Sequence, residues 1–211
     1  MKRVLVVSPH PDDEAIGCGG TLRAHALVGD VVHVVFLTSG EAGGHGTPPD
    51  ETARIREREA QAASRILGVT AIEFWRQPDS KLRVTNELLA RMQTKLNQFR
   101  PELVYVTHER EMLGDHAAAA RLVKRALSKG RRRNGIPEVL MFEVWTPLQE
   151  MDHIVDISRH VGAKVRAIRA YQSQCAVMSF DEAALALNRY RGEMHSWPGG
   201  DYAEIFRNLK I

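Results

Sequence analysis

Apolar residues fall into short, nearly unbroken runs: Val4 to Val7, Val31 to Leu37, Ile72 to Trp75, Leu103 to Val106 and Val139 to Val144. Runs of this length without polar alternation predict strands covered on both faces. Four longer stretches between them have helical composition and period: Ala15 to Leu27, Thr52 to Leu67, Asn86 to Phe99 and Asp115 to Leu127. Strand and helix in alternation predict βαβ units, hence an α/β fold with a mostly parallel sheet and helices on both sides. Right-handed crossovers put the strand-to-helix loops on one edge. Ser8 to Glu14, Thr38 to Asp50, Arg76 to Thr85 and Thr107 to Gly114 are therefore expected to meet there. Beyond Val144 the pattern loosens. Ile154 to Ile157 precedes a helical stretch from Ser158 to Ala170, and another helix is expected over Asp181 to Arg191. With no linker or repeat in 211 residues, one domain over 1–211 is expected.

Composition changes this picture little. A chain that is 44% hydrophobic and 26% charged, with net charge +3, is an ordinary globular sequence. The basic run Lys129-Gly130-Arg131-Arg132-Arg133 has no aromatic residues among it, so it reads as a solvated loop and not a nucleic-acid surface. Cys18 and Cys175 lack metal or redox spacing and read as buried thiols of a reducing compartment. Neither an export signal nor an apolar span of membrane length is present, so a cytoplasmic protein without membrane insertion is expected. Self-association is left open.

The chemistry concentrates in Ser8-Pro9-His10-Pro11-Asp12-Asp13-Glu14, directly after the first apolar run. Open α/β sheets bind ligands outside the carboxyl ends of their strands. Three acids crowd there beside an imidazole, and a divalent cation is the natural way to relieve the repulsion among the acids. His10 and Asp13, three residues apart across a proline turn, can point at one ion, while Asp12 can face the open side and handle a proton. Helix capping accounts for one acid, not for the whole cluster. A dinucleotide turn is the rival reading. It fails because Gly17, Gly19 and Gly20 lack the last glycine of the fingerprint at Leu22, and carboxylates would face the pyrophosphate. Close helix–sheet packing explains those glycines better. Two ligands are too few for a firmly held catalytic metal, and Asp115-His116, after the fourth strand, is positioned to supply a third.

Pro9 to Glu14 together with Asp115-His116 resembles the PIG-L/LmbE-like zinc-dependent de-N-acetylases. The likeness continues through Gly40-Glu41, Arg56 to Ala60, Leu67-Gly68 and Asp79. It resumes at Phe142 to Trp145, Asp156 to Ser158, Lys164, Ser173-Gln174 and Tyr202 to Phe206, and so covers nearly the whole chain. The resemblance implies a Rossmann-like three-layer sandwich with its active site at the C-terminal ends of the strands. It implies Zn2+, or another divalent transition metal, on His10, Asp13 and His116. Asp12 would be the general base, with Asp115 orienting a ligand, and Glu41, Arg56 and Asp79 would bind the sugar. The implied reaction removes the acetyl group from an N-acetylated amino sugar, so the partner is a small molecule or glycoconjugate.

The chain departs from the family pattern at Leu113, where a histidine is usual, and at Tyr171, where many relatives also carry one. Leu113 can neither pair with Asp115 nor help stabilise a transition state. An amidase for another N-acyl substrate and a weakened sugar-binding member therefore remain as alternatives. His108 is either a substitute that folds back or a plain loop residue. The glycine-rich segment 38–50 is a candidate lid, and Met194 to Gly200 a candidate aromatic wall.

Overall fold

The computed structural model describes residues 1–128, 135–195 and 200–211. The basic run at 129–133 and most of the 194–200 segment therefore lie outside the described residues. The apolar runs become strands β1 (Arg3–Ser8), β2 (Val31–Phe36), β3 (Ala71–Phe74), β4 (Leu103–Thr107) and β5 (Glu138–Phe142), joined later by β6 (His153–Asp156) and β7 (Ala203–Asn208). They form one seven-stranded sheet in the order β3-β2-β1-β4-β5-β7-β6. The first five strands run parallel, and β7 is antiparallel to both β5 and β6.

Successive residues of β1 show why its run is unbroken. Val4 and Val6 belong to one apolar core, Leu5 and Val7 to the other, and all four are fully buried. Helices α3 (Asn86–Phe99) and α4 (Gly114–Ser128) contribute Leu96 and Leu122 to the core that holds Leu5 and Val7. The opposite core takes Leu22 from α1 (Asp13–Leu27), Leu67 from α2 (Pro49–Leu67) and Ile168 from α5 (Val161–Ala170). The short α6 (Gln172–Cys175) and the longer α7 (Phe180–His195) complete the order. The glycines of α1 serve close packing: a Cβ at Gly17 would strike the Phe142 ring on β5, and one at Gly20 would strike Ile157. No helix among the described residues is long and apolar enough to cross a membrane.

Some details differ from the expected pattern. The helix expected from Ser158 starts at Val161, α7 extends to both sides of the predicted span, and α6 and β7 are additional elements. The sequence of β7 hides because Glu204 interrupts Ala203 and Ile205. Glu204 belongs inside for a specific reason. Helix α1 breaks at Cys18 (φ −140°), and Glu204 accepts the amides of Gly20 and Thr21 at 2.9 and 2.8 Å beyond the break. Lys164 Nζ pairs with the same carboxylate at 2.6 Å, with both side chains out of solvent. Removing one partner of a buried pair strands the other, at about 3–5 kcal/mol. Glu204→Ala is expected to cost that much, read as a lowered midpoint in urea unfolding.

Candidate active site

The strand order turns at β1, whose neighbours β2 and β4 are reached in opposite directions, and this opens a crevice at the carboxyl ends of β1 and β4. The loops leaving those two strands carry His10 to Asp12 and His108 to Leu113. Across the crevice His10, Asp13 and His116 converge. His10 Nδ1 lies 3.2 Å from Asp13 Oδ2 and 3.2 Å from His116 Nε2, and that nitrogen lies 3.3 Å from the same Asp13 oxygen. A tetrahedral ion with bonds of about 2.0–2.1 Å needs ligand atoms about 3.3 Å apart, so this donor triangle fits one metal in both spacing and chemistry.

Each histidine is oriented from behind. His10 Nε2 faces Asp79 Oδ1 at 3.0 Å and Asp115 Oδ2 at 3.4 Å, which leaves Nδ1 turned to the triangle. His116 Nδ1 has no hydrogen-bond partner but points to Glu111 Oε1 at 3.9 Å. A second possible donor group, His10, Asp79 and Asp115, shares His10 with the first. Asp115 is largely engaged otherwise, accepting the amides of Ser80 at 2.8 Å and Leu82 at 3.0 Å. It thereby ties the loop carrying Asp79 to the start of α4.

Electrostatics follow from this crowding. Burial would raise the Asp13 carboxyl, but His116 and His10 beside it hold it well below the usual carboxylate range. Burial opposes charge on His116, yet Asp13 and Glu111 carry its pKa up to about 9. His10 is likewise raised: burial works against its charge, and hydrogen bonds to Asp115, Asp13 and Asp79 outweigh it. Asp12 goes the other way from Asp13, because burial pushes it up to about 7, Arg56 offsets part of that and Asp13 adds to it.

Asp12 occupies the N-cap position of α1, but its side chain makes no capping hydrogen bond. Simple capping therefore does not explain it. Its φ is +127°, a region that costs a non-glycine residue about 1–3 kcal/mol. Three contacts hold it there. Its N–H donates to Glu14 Oε2 at 3.1 Å, while Arg56 Nη2 donates to Asp12 Oδ2 at 2.9 Å and to the Pro11 carbonyl at 2.6 Å. Glu14 is fixed in turn by the Tyr171 hydroxyl, which donates at 2.5 Å, and burial pushes Glu14 up to about 8. Tyr171, to which the sequence assigned nothing, thus braces the turn from α5's far end.

Of the site residues, His10, Asp12, Asp13, Arg56, Asp79 and Asp115 line a cavity of about 420 Å³, and the fully buried His116 does not. Glu41 does not line it; its carboxylate accepts the Asp79 N–H at 2.8 Å, and Asp79 accepts the Ala42 N–H at 2.8 Å in return. This reciprocal pair pins the 38–50 segment to the loop after β3. The φ of +66° at Gly40 favours glycine, and a Cβ there would press on the Arg56 guanidinium that aims Asp12. His108 does not substitute at Leu113. Its Nδ1 accepts the Arg110 N–H and its Nε2 lies 2.7 Å from the Thr146 carbonyl, while Leu113 itself lines the cavity.

An apolar wall, unassigned in the sequence, faces these polar groups: Trp145, Phe180, Val177 and Met178. The Trp145 and Phe180 rings meet edge-on at 5.6 Å. Glu111 fixes that wall by accepting the amides of Val144, Trp145 and Thr146 at 2.7, 3.0 and 3.0 Å. The signal was partly present, since Glu111 sits in a loop expected at the site and Trp145 in a segment shared with the family.

A mostly parallel sheet with a triangle of possible metal donors at its switch point defines an α/β protein with a candidate ion site. The family model of GlcNAc-PI de-N-acetylases, PIG-L, matches residues 5–127. The diacetylchitobiose deacetylase of Thermococcus kodakarensis is 31% identical over 197 residues, covering 82% of this chain and 70% of that protein. The 4-oxalmesaconate hydratase of Pseudomonas putida is 30% identical over 200 residues, covering 82% and 74%. The crystal structure of the conserved protein TT1542 from Thermus thermophilus superposes with a TM-score of 0.85 at 34% identity, covering 100% of this chain and 98% of that one. The chain belongs to the PIG-L family.

Proposed function

We propose that this chain is a zinc-dependent hydrolase that removes the acetyl group from an N-acetylated amino sugar or its conjugate. The observation that carries the reading is the donor triangle of His10, Asp13 and His116, with edges of 3.2, 3.2 and 3.3 Å and the Asp12 carboxyl held beside it. A divalent cation held there supplies Lewis acidity, which polarises a carbonyl and acidifies a water.

The protein's own groups do the rest. Asp12 takes a proton from water as its oxygen bonds to the acetyl carbon. The C–N bond then breaks, and Asp12 returns the proton to the departing nitrogen, giving acetate and a free amine. Burial pushes the Asp12 carboxyl up, which suits a group that takes up and returns a proton. Arg56 aims that carboxyl, and Asp115 steadies the loop and faces His10. Asp79 lines the cavity as a sugar-binding group, Arg56 lines it but acts on substrate through Asp12, and Glu41 acts through the Asp79 amide. The free thiols of Cys18 and Cys175, the second only half-buried, fit a reducing cytoplasm.

Hydration of a carboxylate, the second reading raised by the Pseudomonas putida relative, is disfavoured by the charge of the cavity. Asp12, Asp13, Asp79 and Asp115 line it, while Arg56 is committed to Asp12 and backbone carbonyls. A neutral acetamide suits such a site better than a polyanion. Acetate release from N-acetylated mono-, disaccharide and glycolipid compounds, on zinc-loaded and chelated protein, tests the assignment. Acetate from at least one compound, lost with chelator, is expected; water addition to an unsaturated carboxylate with no acetate from any sugar would reverse it.

Arg56 gives a pH prediction. Its charge lowers the Asp12 pKa, so Arg56→Gln leaves Asp12 protonated to a higher pH. The acid limb of kcat/KM is expected to move upward in pH, measured as a full pH–rate profile.

A further inference from the structure

Beside the catalytic cavity lies a second one of about 310 Å³, and Trp145, Met178 and Phe180 line both. We propose that the second cavity is a subsite for an apolar aglycone, so that the substrate is an N-acetyl amino sugar bearing an alkyl group. The sugar half rests on the deacetylase reading above; the apolar half rests on the second cavity itself.

Its remaining walls come from Ile16, Val144, Pro147, Ala184, Leu187 and Ile205. The polar side chains among its lining are already engaged. Arg191 binds Glu143 at 3.1 and 2.8 Å, Lys164 binds Glu204 at 2.6 Å, and the Asn188 amide donates to the Ala203 carbonyl at 2.8 Å. Asn188 Oδ1 alone among them is buried without a partner. One acceptor does not serve the ring of hydroxyls on a second sugar, and charges neutralised in pairs do not draw an ionic group. An apolar group loses nothing on entering such a space.

Continuity argues the same way. The shared residues stand at the junction and remain in water without ligand: Trp145 is 37% exposed and Met178 46%, with Val177 of the first cavity at 48%. A glycoside whose sugar fills the first cavity directs its aglycone across this apolar rim. Each methylene removed from water is worth roughly fourfold in affinity. A chain seating two or three of them gains at least about tenfold.

The test compares octyl and methyl glycosides, with the octyl compound kept below its micellar concentration. Binding of octyl and methyl β-glucoside, which lack the acetamide and are not turned over, is measured by calorimetry on the metal-loaded protein. Acetate release is measured with the matching N-acetylglucosaminides. At least tenfold tighter binding of the octyl compound is expected, with a similar gain in kcat/KM. Leu187 lines the second cavity and not the first, so Leu187→Trp is expected to erase the octyl advantage and the milder Leu187→Phe to reduce it. Equal affinities, or an advantage that both variants keep, overturn the subsite. An octyl advantage in binding without acetate from either glycoside upholds the subsite and overturns the deacetylase reading instead.

Discussion

Asp12→Asn is expected to lower kcat by about 10²- to 10⁴-fold, the usual contribution of a positioned general base. That loss is equivalent to about 3–5 kcal/mol of transition-state stabilisation. The substitution isolates proton transfer unusually well here. Asparagine tolerates positive φ better than most residues, so the +127° backbone at this position remains attainable. The amide oxygen can still accept from Arg56, and a buried group whose ionisation is opposed by burial becomes permanently neutral. Asp12 is also outside the donor triangle, so metal content is expected to stay at the wild-type level. The measurement pairs steady-state acetate release with metal analysis of the same sample. Full activity at full metal content would remove Asp12 from the mechanism, whereas lost metal would make it a ligand.

What the sequence disclosed follows from how local each feature is. The unbroken run Val4 to Val7 announced a strand buried on both sides, and its two cores account for that pattern. His10, Asp12 and Asp13 share one turn, so their proximity was readable without any tertiary knowledge. His116 required topology, which alternating strands and helices supplied. The brace from Tyr171 to Glu14 spans 157 residues and involves a tyrosine that reads as ordinary core. The apolar wall joins Trp145, in an irregular segment, to Phe180 at the first position of α7, and no period links the two. The strain at Asp12 is invisible as well, because residue type does not reveal φ when neighbouring contacts enforce it. Strand β7 was concealed by Glu204, whose burial makes sense only beside Lys164 and the broken helix α1.

Metal removal is expected to abolish activity and to lower the melting temperature by an amount that grows with pH between about 6 and 9. The sign comes from the groups at the site. Without metal, His116 has a folded pKa of about 9, raised above its ordinary value. Its contribution is therefore fully present below the unfolded pKa, near 6.5, and is lost as pH rises through 9. Asp12 and Glu14 act in the same direction. Burial raises their folded pKa values to about 7 and about 8, so each costs stability as pH climbs from its unfolded pKa to that folded value, and the cost is complete once it ionises. Asp13 is depressed and stays ionised throughout this window, adding no slope. A cation displaces the histidine protons and neutralises the carboxylates, so its affinity rises over the pH range in which the metal-free protein weakens. At a free concentration of 100 Kd it adds about 2.7 kcal/mol. Scanning calorimetry with and without chelator at pH 6, 7.5 and 9 reads the divergence directly. Melting curves that coincide at all three pH values would mean that His10, Asp13 and His116 hold no ion.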